Sequence, residues 1–176
     1  APVSVVHNGV LDAAAAPRRA VAELTGTRFL LHISRMSPSK NVGSLIEMAA
    51  MWPEQALLLV GPESTEVDKH RAHVSRLGLR NVHFLTDVSE GQKAWLYAHC
   101  KAFLFPSLLE GFGLPPIEAM HFGKPVFLSR LTSLPEVGGD AACYFDRFEG
   151  AAMRRVVEAG LGAHAAPGRA EAVRAH

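Results

Sequence analysis

The sequence predicts an α/β fold built on a doubly wound parallel sheet of about six strands. Three observations carry that expectation. Short apolar runs alternate along the chain with stretches whose apolar residues fall at helical spacing. The runs are nearly continuous, as in strands covered on both faces. Glycine, proline, serine and asparagine mark many of the junctions between the two kinds of segment. At 176 residues and 48% hydrophobic content the chain can bury one sizeable core.

Residues 3–6 form a short run rich in valine that ends in the turn signal Asn8-Gly9. Residues 11–27, alanine-rich with Arg18 and Arg19, read as part of a linker with a first short helical piece. The first firm strand is 28–34, Arg-Phe-Leu-Leu-His-Ile-Ser. A loop carrying Arg35, Pro38 and Lys40 then enters a helix with Leu45, Ile46, Met48, Ala49 and Trp52 on one side. Strand 55–61 ends at Gly61-Pro62. The charge-laced helix 66–77 stops at Gly78 and places His70 and His73 on a solvated face, without the further partners a metal would need. Strand 82–85 leads to Ser89 as N-cap of helix 90–99, whose Trp95, Leu96 and Tyr97 read as core. Strand 102–105, helix 115–122, strand 126–128, a helical turn at 134–137, strand 142–145 and helix 148–159 follow. Beyond Gly160 the composition specifies little, so residues 162–176 read as a loose tail after a sheet domain at 28–161.

Formal net charge is +1, from Lys+Arg 18 against Asp+Glu 17, so no broad basic field argues for nucleic acid or an anionic membrane. Cys100 and Cys143 form no C-x-x-C and read as buried thiols of a reducing compartment. No apolar run reaches the ~18 residues of a membrane span.

The stretch from Phe105 to Met120 concentrates the chemistry. A strand end breaks at Pro106-Ser107, passes Gly111 and Gly113, and restarts as a helix at Pro115-Pro116, with Leu114 still expected in the loop. That order leaves the N–H groups of Gly111, Phe112, Gly113 and Leu114 free to face an anion at a helix start, and phosphate is the expected guest. Glu110 and Glu118 bracket the loop. Either each carboxylate turns toward sugar or ribose hydroxyls, which suggests a sugar nucleotide, or Glu118 merely complements the helix dipole and Glu110 is a solvated loop acid. Arg35 and Lys40 sit on the loop after the first strand, where open α/β sheets bind ligands; they suit a pyrophosphate or are plain surface charges. If strands one and four are neighbours, as in the order 3-2-1-4-5-6, both elements flank one crevice. The Ser37-x-x-Lys40 pattern lacks the helix and companion motifs of a serine β-lactamase. A dinucleotide dehydrogenase would want G-x-G-x-x-G after the first strand, and residues 34–43 have none.

The set Asn8-Gly9-Val10, Ser34-Arg35 with Lys40, Glu110-Gly111-Phe112-Gly113-Leu114-Pro115 to Glu118-Ala119-Met120, Gly123-Lys124-Pro125-Val126 and Ser133-Leu134-Pro135-Glu136-Val137 resembles the family-four retaining glycosyltransferases of GT-B architecture. The resemblance covers roughly residues 5–161. It implies a Rossmann-like donor domain, one half of a two-domain enzyme whose other half, an N-terminal domain, holds a glycan or lipid-linked acceptor. It also implies that Arg35, Lys40 and the amides of Phe112, Gly113 and Leu114 bind the donor diphosphate and that Glu118 bonds the ribose. Glu110 would lie by the sugar, with Glu110, Arg35 and Lys40 as the catalytic set, and backbone at 85–88, including Val88, would meet the base. The implied reaction is hexose transfer from a nucleotide diphosphate sugar, GDP-mannose first and UDP-sugars second, as in bacterial surface polysaccharide synthesis, with no metal and no cofactor.

The implied setting is the cytoplasm, with the intact enzyme at the inner face of the membrane. Ser34 stands where the family usually has glycine, which makes the backbone there less free. The chain opens at Ala1 and is short for two domains, so it is expected to be a donor-binding half that binds nucleotide but turns over poorly or not at all. The competing expectations are a sugar-nucleotide hydrolase or epimerase of the same architecture and a non-catalytic nucleotide-binding module.

Overall fold

Strands form where the sequence runs mostly apolar, with His32 in the first and His83 in the third as polar exceptions. The computed structural model describes residues 13–15 and 17–176, so the expected turn at Asn8-Gly9-Val10 lies outside the described residues. Six strands are present: β1 (Phe29–Ile33), β2 (Ala56–Gly61), β3 (Val82–Thr86), β4 (Ala102–Phe105), β5 (Val126–Ser129) and β6 (Cys143–Phe145). All pair in parallel, in the order β3-β2-β1-β4-β5-β6. That is the doubly wound arrangement the sequence predicts. It puts the ends of β1 and β4 side by side, with Leu30 opposite Ala102 and Leu31 opposite Phe103.

Parallel neighbours need crossovers, and helices supply most of them. These are α1 (Val42–Ala50), α2 (Thr65–Arg76), α3 (Glu90–His99), α4 (Leu114–His121) and the short α5 (Leu134–Gly138), followed by α6 (Gly150–His164) and α7 (Arg169–Arg174). The chain steps outward from β1 to β3 and then returns to the other side of β1, so right-handed crossovers place the two sets of helices on opposite faces. Successive strand residues divide accordingly. Phe29, Leu31, Leu58, Val60, Phe103 and Phe105 pack with α3 and α4; Leu30, Leu57, Leu59, Leu104 and Phe127 pack with α1, α2 and α6. Each fully buried Leu or Phe contributes about 1.5–3 kcal/mol, which is why the strands are apolar on both faces.

Helix starts follow local chemistry. Ser64 accepts from the Val67 N–H at 3.3 Å, and Ser89 with Gln92 forms a capping box at α3. Three expectations change. Leu114 is the first residue of α4 and not the last of the loop, because Gly113, at φ +103°, turns the chain into the helix one residue before the prolines. The helix expected at 148–159 is α6, which starts at Gly150. There the backbone passes so close to α1 that a Cβ would lie 2.7 Å from the Glu47 carbonyl. The last residues are not loose: α7 buries Val173 against the core beside α4, and Arg169 donates to the Asp140 carbonyl at 3.0 Å. Among the described residues no helix is long and apolar enough to cross a membrane.

Candidate functional site

At the C-terminal edge of the sheet the β1 and β4 ends share one hollow of about 330 Å³, lined by Ile33, Ser34, Arg35, Lys40, Gly61, Pro62, Phe105, Glu110 and Pro115. An adjoining hollow of about 260 Å³ is lined by Ile33, Val60, Gly61, Pro62, Asp87 and Val88. Arg35 and Lys40 from one strand end therefore meet Glu110 and Pro115 from the other, and Val88 lines the second hollow; Gly111, Phe112, Gly113, Leu114 and Glu118, also expected at the site, line neither of these two hollows.

The β1 side is braced from below. His32 is fully buried; its Nδ1–H donates to the Leu104 carbonyl at 2.8 Å, which leaves Nε2 to accept from the Ser34 hydroxyl at 2.7 Å. Ser34 Oγ in turn accepts from the Met36 N–H at 2.9 Å, holding Met36 at φ +55°. Burial lowers the His32 pKa to about 4, an effect opposed by its bond to Leu104 and reinforced by Lys40, so the imidazole stays neutral. Ser34, where a glycine was expected by resemblance, does not take a left-handed conformation; its hydroxyl completes this relay. The room it needs comes from Gly61, where a Cβ would sit 2.1 Å from the Ser34 carbonyl. Arg35 is exposed and has no hydrogen-bond or ion-pair partner among the described residues. Lys40 ends a 3-10 turn, lies 5.6 Å from the Phe105 ring centre and pairs with Glu110.

The β4 side is stitched to its neighbours. Ser107 Oγ lies 3.0 Å from both the Ser39 carbonyl and Glu110 Oε1, and the Leu108 N–H donates to the same Ser39 carbonyl at 2.7 Å. The Glu110 N–H donates to Thr132 Oγ1 at 3.2 Å, and Ser133 Oγ donates to the Phe112 carbonyl at 3.1 Å. No acceptor meets the N–H groups of Gly111, Phe112, Gly113 or Leu114 among the described residues. Pro115 and Pro116 carry no N–H, so the helix start offers its donors at Gly113 and Leu114 alone. The two glycines differ. Gly113 needs its positive φ and lies where a Cβ would be 3.0 Å from Leu134 Cδ2; at Gly111 neither the backbone nor a neighbour within 4 Å forbids a side chain.

Glu118 stands on the first turns of α4, where Tyr97 Oη donates to Oε2 at 2.7 Å and Lys93 Nζ lies 3.2 Å from Oε1. Sequence reasoning placed Glu118 and missed both partners. Lys93 and Tyr97 lie one turn apart on α3, a spacing visible in the sequence, but the carboxylate they meet is on another helix. His32 was legible only as a polar residue inside an apolar strand. His70, expected on a solvated face, is half-buried and hydrogen-bonded to the Met36 carbonyl at 3.3 Å. Among the described residues no cluster of three His, Cys, Asp or Glu side chains is placed to hold a metal.

A six-stranded parallel sheet in doubly wound order, with helices on both faces, defines the class as a Rossmann-like domain. The chain belongs to the family described as Glycosyl transferases group 1, which matches residues 16–148. It is 37% identical over 131 residues to O-antigen chain mannosyltransferase B of Escherichia coli, an alignment covering 70% of this chain and 34% of that protein. It is 36% identical over 141 residues to the serotype-specific mannosyltransferase WbdA of Escherichia coli, covering 76% of this chain and 17% of that one. The chain thus spans 34% of the first of these relatives and 17% of the second. Its fold matches Anabaena HepE, crystallised with UDP and glucose, at a TM-score of 0.80 and 23% identity, over 98% of this chain and 51% of that one. WaaG, a glycosyltransferase involved in lipopolysaccharide biosynthesis, matches at 0.72 and 23% identity, over 88% and 44%.

Proposed function

We propose that this chain is the donor-binding half of a retaining hexosyltransferase that takes a sugar from a nucleotide diphosphate sugar, GDP-mannose before UDP-sugars, to a glycan or lipid-linked acceptor. The observation that carries the reading is one hollow lined by Arg35, Lys40, Glu110 and Pro115, the last two being the ends of a loop whose four intervening amides lack acceptors among the described residues. A diphosphate is the ligand whose charge and shape meet donors from both sides. Gly111, whose lack of a side chain the protein itself does not require, then lets a phosphate approach the backbone. The second hollow, beside Asp87 and Val88, takes the base. A carboxylate there accepts from both N1–H and N2–H of guanine but finds one such donor on uracil, which favours GDP. The relatives named as mannosyltransferases point the same way.

In the reaction an acceptor oxygen bonds to the anomeric carbon as the bond from that carbon to the β-phosphate oxygen breaks. The electron pair stays on the diphosphate, where Arg35, Lys40 and the Gly113 and Leu114 amides stabilise it. The acceptor hydroxyl proton passes to the departing oxygen on the same face, which gives retention. Glu110, held by Lys40 and Ser107, orients the sugar. No metal is required, because the cations and the helix start supply the positive charge. Four of the six most exposed large apolar side chains among the described residues, Leu108, Leu109, Leu114 and Leu131, lie on loops or the helix start at this edge, where an acceptor-binding domain would sit. The setting is the cytoplasm, at the inner face of the membrane where lipid-linked acceptors are presented.

Titration calorimetry with GDP and UDP tests the assignment. Lys40→Ala weakens diphosphate binding by about 1.5–3 kcal/mol, the range for hydrogen bonds to charged groups. Unchanged affinity removes Lys40 from the site. A wild-type chain that binds neither nucleotide overturns the whole reading.

A further inference from the structure

Met36 is the strained point of the loop that carries Arg35. Its φ is +55°, in the left-handed region, and its side chain is fully buried. Asn41 and Asp87 also take positive φ, but with short polar side chains that suit it. A methionine persists there only where its surroundings over-determine it. Both of its peptide groups are taken by side chains. The N–H donates to Ser34 Oγ at 2.9 Å, and the carbonyl accepts from His70 Nε2 on α2 at 3.3 Å. Ser34 Oγ is fixed in turn, its proton given to His32 Nε2 at 2.7 Å, and His32 is tied to the Leu104 carbonyl of β4. The Met36 side chain packs beside Gly61 of β2, where a Cβ would lie 3.4 Å from its terminal methyl. Three strands and a helix therefore hold this one turn. Arg35, between the two anchored residues, is exposed, lines the larger hollow and has no hydrogen-bond or ion-pair partner among the described residues.

We infer that His32, Ser34 and His70 are positioning residues that pre-organise Arg35, so that its guanidinium meets a nucleotide diphosphate from a backbone already in the bound conformation. The inference rests on the diphosphate-binding reading above. It goes beyond that reading by naming three residues that act through Arg35 rather than on the ligand. A flexible loop would have to be ordered as the ligand arrives, and the lost conformational freedom would weaken binding. Here folding has already fixed the backbone on both sides of Arg35, so that only its side chain remains to be ordered. The competing role for these bonds is purely structural, with Ser34 serving to satisfy a buried imidazole and a left-handed peptide and no consequence for the ligand.

The two roles separate when GDP is titrated into the wild type, Ser34→Ala, Arg35→Ala and the double variant. Arg35→Ala weakens binding about tenfold or more, the worth of a hydrogen bond to a charged group. Ser34→Ala keeps the Cβ but releases both His32 and the Met36 N–H, and it weakens binding about fivefold. The double variant loses no more than Arg35→Ala alone, to within about twofold, because without the guanidinium there is nothing left to position. His70→Ala, at a helical position that alanine suits, reaches the same turn through the Met36 carbonyl and guards against a Ser34→Ala chain that folds poorly. It weakens GDP binding about threefold, again only while Arg35 is present. Ser34→Ala and His70→Ala proteins that bind GDP as the wild type does overturn the inference and leave nucleotide binding intact. Losses that multiply with that of Arg35→Ala overturn it too, since the residues then act elsewhere. An Arg35→Ala protein of unchanged affinity removes Arg35 from the site and the inference with it, and a wild type that binds no GDP overturns the diphosphate reading itself.

Discussion

The two edges of the sheet use polar groups in opposite ways. At the N-terminal edge Asn81 Nδ2 lies 3.0–3.1 Å from the carbonyls of Ala49, Trp52 and Gln55, clipping the end of α1 to the starts of β2 and β3. Gln55 Nε2 donates to the Ala56 carbonyl at 2.9 Å and reaches that of Arg28 at 3.3 Å, while its oxygen accepts from Lys101. Donors and acceptors there are spent on one another. At the C-terminal edge Arg35 and the loop amides are not. A buried polar group without a partner costs about 1–3 kcal/mol, so a protein leaves donors open only where they are exposed or meet a ligand. The difference separates residues that hold the fold from residues presented by it.

His32, which braces the ligand edge from inside, gives the largest test of that contrast. Its folded pKa, about 4, lies below the 6.5 of the unfolded chain. The unfolded chain therefore binds the proton first as pH falls, and stability is full above pH 6.5 and lost through the window down to 4. The loss is about 1.4 kcal/mol per pH unit, reaching about 3 kcal/mol by pH 4. Half-buried His70 and His164, with pKa values lowered first by burial, act in the same direction. Urea unfolding at pH 7, 6 and 5 should show this slope, and His32→Gln should remove most of it. An unchanged slope in the variant would mean that the imidazole is not held neutral.

Asn81→Ala should cost about 2 kcal/mol in the same assay, because buried carbonyls lose a donor, while GDP affinity stays within about twofold. Any larger change in affinity would mean the two edges are not independent. The glycines give the smallest and sharpest comparison. Gly113→Ala places a side chain at φ +103° and costs about 1–2 kcal/mol of stability. Gly111→Ala costs under about 0.5 kcal/mol but weakens GDP binding, since its Cβ intrudes only on the ligand. Thermal unfolding with and without GDP distinguishes them. Equal stability losses would remove the distinction between a glycine the chain needs and one the ligand needs.

Much of this was legible in the linear order of residues. Continuous apolar runs such as Phe29 to Ile33 can be satisfied only by cover on both faces, so the parallel sheet followed from them. The alternation of strand and helix gave the crossovers, and the glycines and prolines after Phe105 marked a loop with free amides. The tail was misread because Val173 is the only large apolar residue of α7. One such side chain sets no period, and its burial depends on α4 being there to receive it. Leu114 was misplaced by one position because proline statistics were weighed without the left-handed turn at Gly113.

Local chemistry along the chain therefore settled which segments are strands, where helices begin and which residues carry charge and free donors. Those properties depend on neighbours a few bonds away. Only the packed fold decided that Lys40 meets Glu110, that Gly61 clears space for the Ser34 carbonyl, that His32 reaches across to Leu104, and that Tyr97 and Lys93 grip Glu118. Each of those contacts joins residues far apart in sequence, and their distances are set by how sheet and helices pack rather than by any spacing the chain displays.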